Sequence, residues 1–438
     1  MSPFLIHRVS IRPVLRYLLP VVLVFITGLA DAVPLSLDAA LTLAEQNAPE
    51  LIANHAQIDT AQSTSIPAGA LPNPKVFAGL DNFPVTGAEA GQLTRDNMTM
   101  QKIGIMQDTP NAAKRRAQID ISQASIEVAT AQLPITRLKI RENTATAWFN
   151  RYYLERKVAL FDTLFNENQR LAQAVHAQIA AGRGSVTDGL LPKQEAAQLA
   201  DQRDDLQRDL SKAKAALRRY LGIDSTAPSS DPILTPDAPA LTIDAEHLHQ
   251  HLHHHPELQA FAAESQLADA KLAAARSLKK SDMSVEFGYL HRAPQFGDMI
   301  AVQLTYELPI FSAHRVDPLI MAAQSEQAQI DAQREVMLRE HAHMLENDLA
   351  DYTALSQQLD RANHISLPLA QQKVDLQLAS YQAGKADLSM VLTARREWIE
   401  QQLKIITLEN MRAVTAAQLY YSYGDMTTTP DLQGANIQ

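Results

Sequence analysis

Six histidines lie between positions 247 and 255 of this chain, a density that suggests metal chemistry. Neutral imidazoles are good ligands for Zn²⁺, Cu²⁺ and Ni²⁺. On a helix, His247, His251 and His254 share one face, so these three are the candidate metal ligands. The alternative is an ordinary exposed helix start, with Leu248 and Leu252 turned inward. Both interpretations stay open at this point.

Other reactive residues do not form a recognisable catalytic pattern. His341 and His343 precede Glu346, but they lack the four-residue separation of the two histidines on a metalloprotease helix. We interpret them as a solvent-facing helix surface. The sequence contains no cysteine, no phosphate-binding glycine loop and no Ser/His/Asp grouping. We therefore expect neither an enzyme nor a bound cofactor.

Composition narrows the class of protein further. The 438 residues carry a formal net charge of −10, which argues against a nucleic-acid partner. Residues 1–32 are typical of a secretory signal peptide, with basic residues, a short apolar run and an Ala-Asp-Ala cleavage site. Without cysteine, the exported chain would have no disulfides and no acceptor for an N-terminal lipid.

The elements that must position these residues include two very long helices. Residues 111–181 are rich in strong helix formers, and about 70 residues would span roughly 100 Å. A second glycine-free stretch runs from Gly297 to Gly384. Pro134 and Pro368 should kink or interrupt these helices. Because helices this long need a partner along their length, a coiled coil or helical barrel is predicted.

The order of elements occurs twice. LSLDA at 35–39 returns as LTIDA at 241–245, and PEL at 49–51 returns at 256–258. Each copy would contain a helix, two strands and a long helical hairpin with a glycine turn. The predicted divisions are a signal peptide at 1–32, a first repeat at 33–222, a linker at 223–240, a second repeat at 241–424 and a C-terminal tail at 425–438.

Four segments alternate between apolar and polar residues, as strands with one apolar face do. They are residues 74–83, 98–109, 281–291 and 299–308. Lengths near ten residues match the strands of outer-membrane barrels. A small, half-buried soluble sheet is the alternative.

Four strands cannot close a membrane barrel, because even the small bacterial barrels have eight and open edges cannot face lipid. Several chains would each have to contribute four. Two chains give eight strands, a barrel that side chains largely fill, whereas three chains give twelve and leave a hollow interior. A hollow conduit therefore predicts a homotrimer.

The repeat, the glycine turns and the paired hairpins together resemble the TolC family of outer-membrane efflux ducts. The most specific stretches are GRGSVTD at 182–188 and YQAGK at 381–385, and LPNP, DNFP and QDTP at 71–74, 81–84 and 107–110 resemble its heavy-metal efflux branch. The resemblance implies a mainly α fold with a small transmembrane β part. A trimeric twelve-stranded barrel in the outer membrane would continue into a long periplasmic α-helical barrel.

The resemblance also implies a function and partners. The chain would be a passive export duct in a tripartite resistance–nodulation–division system, and the resemblance to the heavy-metal branch implies that it exports heavy-metal cations. Its partners would be a periplasmic adaptor (a membrane fusion protein) and an inner-membrane pump.

Residue roles follow from the same resemblance. The matched periplasmic gate positions are Thr187, Asp188, Tyr381, Lys385, Met390 and Thr393. The family has an arginine at the position of Ala386, and Lys385 is the residue just before it. Met390 and Thr393 stand where the family has acidic residues. The turns expected to contact the adaptor are Gly182, Arg183, Gly184, Ser185, Gly384, Ala386 and Asp387.

Two other classes of protein remain open. One is a periplasmic adaptor or helical scaffold, which normally has one hairpin flanked by β-rich domains rather than two equal copies. The other is a His-rich metal-binding protein of the periplasm. Fractionation with the outer membrane would distinguish the duct from both.

Overall fold

The computed structural model describes residues 34–182, 185–223 and 233–423. The predicted signal peptide, Arg183 and Gly184 of the first turn, residues 224–232 of the linker and the predicted C-terminal tail lie outside the described residues.

The same order of elements occurs in both halves of the described chain. The first half contains α1 (Leu37–Asn47), α2 (Pro49–Ser65), β1 (Lys75–Asp81), β2 (Met100–Thr109), α3 (Ala112–Ala180) and α4 (Leu191–Leu221). The second contains α5 (Ala245–His251), α6 (Pro256–Ser277), β3 (Met283–His291), β4 (Met299–Tyr306), α7 (Ser312–Arg315), α8 (Asp317–Arg361), α9 (Leu367–Gln382) and α10 (Leu388–Tyr423). The division into two repeats as domains stays a prediction.

The predicted long helix is a single element in the first half and a divided one in the second. α3 runs for 69 residues and continues through Pro134, so the expected break does not occur there. Its start is fixed by Asn111, whose side chain accepts the backbone N–H of Lys114 at 2.8 Å. In the second half a π-helical turn, Ala362–Ser366, separates α8 from α9 just before Pro368. That proline removes a backbone donor, which accounts for the break.

The main core lies where α1, α3, α4 and α10 meet. Trp148 and Phe149 of α3 are fully buried there, together with Leu217 of α4 and Ala417 of α10. The indole N–H of Trp148 donates to the carbonyl of Leu35 at 3.2 Å, which satisfies its polar group inside the core. This core joins the beginning of the chain to both helical hairpins.

The four strands form one antiparallel sheet in the order β1-β2-β3-β4. The central pairing of β2 with β3 joins the two halves of the chain. β1 ends at Asp81 because Asn82 adopts a left-handed backbone conformation, with φ of 55°. Gly104 in β2 lies beneath the ring of Phe77, where an added Cβ would come within 2.3 Å of that ring. Among the described residues, no helix combines the length and apolar character that crossing a membrane requires.

Candidate functional site

The two faces of the sheet differ in chemistry. Val76, Ile105, Phe287 and Val302 are successive cross-strand neighbours on one face, and this face is apolar along its whole width. On the other face Lys102 pairs with Glu286 at 3.0 Å. One face is therefore suited to an apolar environment and the other to water.

The outermost strand of the sheet has no cover within the chain. Every residue of β4 is exposed, and Val302 on its apolar face is 65% exposed. β1 and β4 are the two edges, so each presents unpaired backbone donors and acceptors. A surface of this kind requires a further strand on each side.

At the other end of the long helices, both hairpins reverse at a glycine. Gly182 and Gly384 have φ of 74° and 71°, a left-handed conformation that favours glycine. Their N–H groups donate to equivalent carbonyls three residues earlier, in Ile179 and Tyr381. Gly182 and Gly384 are exposed, as are Ser185 and Asp387 of the predicted adaptor-contacting turns, while Ala386 is half-buried.

The predicted gate residues of the first hairpin lie in a 3₁₀ turn, Val186–Gly189. Ser185 and Asp188 form a capping box, in which the Asp188 carboxylate accepts the Ser185 N–H at 3.1 Å. Burial, and after it the charge of Asp188, raises the pKa of Tyr381 in the second hairpin. The charge of Asp188 in the first hairpin therefore acts on Tyr381 in the second. The side chain of Thr187 contacts Ser185 in the same turn.

An apolar contact joins the two hairpins at this end. Val175 of α3 packs with Leu388, Val391 and Leu392 of α10, and Tyr381 lies at its margin. Met390 and Thr393 lie on the exposed side of α10, with Met390 51% exposed. Their side chains face away from the hairpin contact. The gating role of Met390, Thr393 and the exposed Lys385 stays a prediction.

Two ion pairs that the sequence did not predict also link the hairpins. Arg395 of α10 lies 3.3 Å from Glu167 of α3, and Arg396 lies 3.3 Å from Glu195 of α4. Each pair combines a largely buried partner, Arg395 or Glu195, with a more exposed one. The Arg-Arg pair at 395–396 was the only sequence signal, and its partners lie about 200 residues away in the chain.

The histidine run is divided between surface and core. The rings of His247 and His251 are 4.0 Å apart, and those of His251 and His254 are 5.8 Å apart, so the three share a face as predicted. Leu248 and Leu252 are buried, as the alternative interpretation required. Whether this face binds metal stays a prediction.

Two histidines differ from the sequence-based expectation. His255 is buried, and its side chain caps α6. His341 is not a solvent-facing residue, so that prediction is wrong: α8 packs against α6 and α10 and buries it beside Glu257. His343 is exposed, as expected. The sequence alone could not pair residues 84 positions apart.

Comparisons with known proteins agree with this architecture. The family described as "Outer membrane efflux protein" matches residues 40–223. The cobalt-zinc-cadmium resistance protein CzcC of Cupriavidus metallidurans is 24% identical over 379 residues, which cover 85% of this chain and 86% of CzcC.

Solved structures give the same fold. The outer membrane protein VceC of Vibrio cholerae superposes with a TM-score of 0.72 at 18% identity, over 89% of this chain and 96% of VceC. CusC, whose structures were described in relation to transmembrane channel formation, gives a TM-score of 0.72 at 17% identity, over 90% of this chain and 92% of CusC.

Proposed function

We propose that this chain is a member of the family of outer membrane efflux proteins, whose model matches residues 40–223, and that it forms a homotrimeric passive duct through which a tripartite system exports heavy-metal cations. The observation that carries the proposal is the four-stranded sheet. It has one apolar face, one polar face and two open edges.

A trimer supplies what this sheet lacks. Strand edges cannot face lipid, and three copies of four strands close a barrel of twelve. The apolar face would then meet the lipid, and the polar face with Lys102 and Glu286 would line water. The helical hairpins, with α3 at 69 residues, would extend roughly 100 Å into the periplasm as a second barrel.

A heavy-metal cargo is supported by the likeness to CzcC, a cobalt-zinc-cadmium resistance protein, over most of both chains. The net charge of −10 is compatible with cation passage, because an acidic surface raises the local concentration of cations. A duct has little use for tight ligands along its path, since tight binding slows release. The pump would select the cargo and the duct would only conduct it.

The partners are a periplasmic adaptor and an inner-membrane pump of the resistance–nodulation–division type. The hairpin turns around Ser185 and Ala386 lie at the far end of the longest helices, so they reach deepest toward the inner membrane. They are the natural docking points for the adaptor. Opening of this end on docking would have to break the ion pairs between the hairpins, such as Arg396 to Glu195.

Metal accumulation in cells tests the cargo. A strain that lacks this chain but keeps its pump and adaptor should accumulate Zn²⁺, Co²⁺ or Cd²⁺ and lose tolerance to them, and the wild-type chain should restore both. Gln303→Asn, on the polar face of β4, is a matched control that should also restore them. Unchanged metal content, combined with lost tolerance to organic compounds, would show that the duct serves a different cargo.

A further inference from the structure

Three side chains with metal-binding atoms converge below the exposed histidine run. Nε2 of His341 lies 3.0 Å from Oε2 of Glu257, and a ring nitrogen of His255 lies within 4.8 Å of both atoms. His255 is 5% exposed and His341 4% exposed, while Glu257 is half-buried. Among the described residues, this is the group of His, Asp and Glu whose ligand atoms meet closely enough to hold one ion.

The surrounding groups hold the ligands in place. The hydroxyl of Tyr423 donates to the carbonyl of His341 at 3.3 Å and lies 3.4 Å from its Nδ1. It can therefore accept Nδ1–H and leave the lone pair of Nε2 for an ion, the usual arrangement of a metal-bound histidine. Lys139 binds Oε1 of Glu257 at 2.8 Å, so Oε2 is the oxygen that would meet the ion, in place of its present contact with Nε2 of His341.

His255 must give up one weak bond to act as a ligand. Its Nδ1 accepts the backbone N–H of Glu257 at 3.2 Å. A neutral imidazole has one lone pair, so metal binding at either nitrogen replaces this cap.

The first half of the chain shows that the fold does not require a histidine here. Ala48 occupies the position before Pro49 that His255 occupies before Pro256, and no side chain caps α2. Glu50, the counterpart of Glu257, is exposed. The cluster of His255, Glu257 and His341 therefore has no counterpart in the first half of the chain. The break between two helices that occurs in both halves does not by itself require such a cluster.

We propose that His255, Glu257 and His341 bind one divalent transition-metal ion per chain. Two imidazoles and one carboxylate match a three-ligand Zn²⁺ site with an open fourth position. Because the ligands come from both sides of the α6–α8 packing, with Tyr423 of α10 behind them, the ion would be a resident clamp between these helices. It would not be cargo in transit, so the proposal does not depend on what the duct exports.

Zn²⁺ titration of the detergent-solubilised full chain, stripped of metal with a chelator, tests the site. Isothermal titration calorimetry should give one tight site per chain, and Co²⁺ in its place should give the strong visible absorption of low-coordinate Co²⁺. Glu257→Gln keeps the size of the side chain and should weaken binding at least about 10-fold, since even outer-shell changes cost about 10–100-fold. His341→Gln should do the same. Oligomer size and helical circular dichroism would report whether each variant is folded.

The other histidines of the run, of which His247 and His251 are half-buried, provide the matched control. Replacing all five with Gln (His247, His249, His251, His253 and His254) should leave the tight site and the Co²⁺ spectrum intact. If that variant loses tight binding while Glu257→Gln keeps it, the metal lies on the surface run and the proposal is wrong. Absence of tight binding by the wild-type chain, or full affinity in folded Glu257→Gln, would also overturn it.

Discussion

At the residue scale, Met390 is the position where this chain departs most clearly from the acidic constriction of the family it resembles. It lies on the exposed side of α10, one helical turn before Thr393. In a threefold assembly each inward residue forms a ring of three. A ring of methionine excludes water and ions when it is narrow, whereas a ring of carboxylates attracts cations.

Met390→Asp should therefore raise both the cation conductance and the cation selectivity of the isolated trimer in planar bilayers. Met390→Ala should raise conductance with a smaller change in selectivity. Ser389→Asp places the same charge on the neighbouring exposed position and should have less effect. If neither change at Met390 alters conductance, this residue does not face the constriction.

The five histidines from His247 to His254 should be dispensable for export. Their segment already buries Leu248 and Leu252, and none of the five is itself buried. Replacing the five with Gln should leave metal tolerance of cells close to wild type. A large loss of tolerance, with normal protein level and normal oligomer content, would show that the run takes part in export.

Some functional residues could be predicted from the sequence and others could not. Gly182 and Gly384 could be identified as turns because a left-handed glycine ends a helix through local chemistry. Asp188 and Tyr381 came from family resemblance, and the charge of Asp188 is one cause of the raised pKa of Tyr381. His341 could not be predicted, because its environment depends on how α6, α8 and α10 pack.

At the scale of elements, β4 is a strand whose residues are all exposed. Its alternating pattern was already visible in the sequence. Periodicity predicted all four strands within a few residues, because alternation is a local property of the sequence. The sheet order and the β2–β3 pairing between the two halves required the structure. Likewise, glycine-free stretches predicted the long helices, but not that α3 continues through Pro134.

Val302→Lys should prevent stable assembly in the outer membrane. A lysine on the lipid face at mid-bilayer costs about 2–4 kcal/mol, and a threefold assembly carries three. Gln303→Lys, on the polar face of the same strand, should be tolerated. The measurement is the amount of oligomer in the outer-membrane fraction after a urea wash. Equal amounts for the two variants would show that the apolar face does not contact lipid.

The hairpin turns should contact the adaptor. The chain contains no cysteine, so a single introduced cysteine gives an unambiguous cross-link. Ser185→Cys and Ala386→Cys should cross-link to the adaptor in cells, and Asp237→Cys, near the core end of the hairpins, should not. Cross-links from Asp237→Cys alone would contradict this prediction, because they would place the docking surface at the core end of the hairpins and not at the turns.

At the scale of the whole molecule, the subunit leaves several of its own surfaces without cover. The sheet has apolar residues on one face and two open edges, and the long helices carry exposed apolar side chains such as Met321, Val336 and Leu376. The main core buries aromatic residues where both hairpins meet, so the subunit itself has a defined shape. The central claim is that three such subunits close one barrel.

Native mass spectrometry of the protein extracted from the outer membrane in mild detergent tests that claim most directly. We expect a single species of three chains, because twelve strands leave no open edge and enclose a hollow interior. A parallel sample of Val302→Lys should show little of that species. A stable monomer in the membrane extract, or a species of two chains, would contradict the twelve-stranded duct.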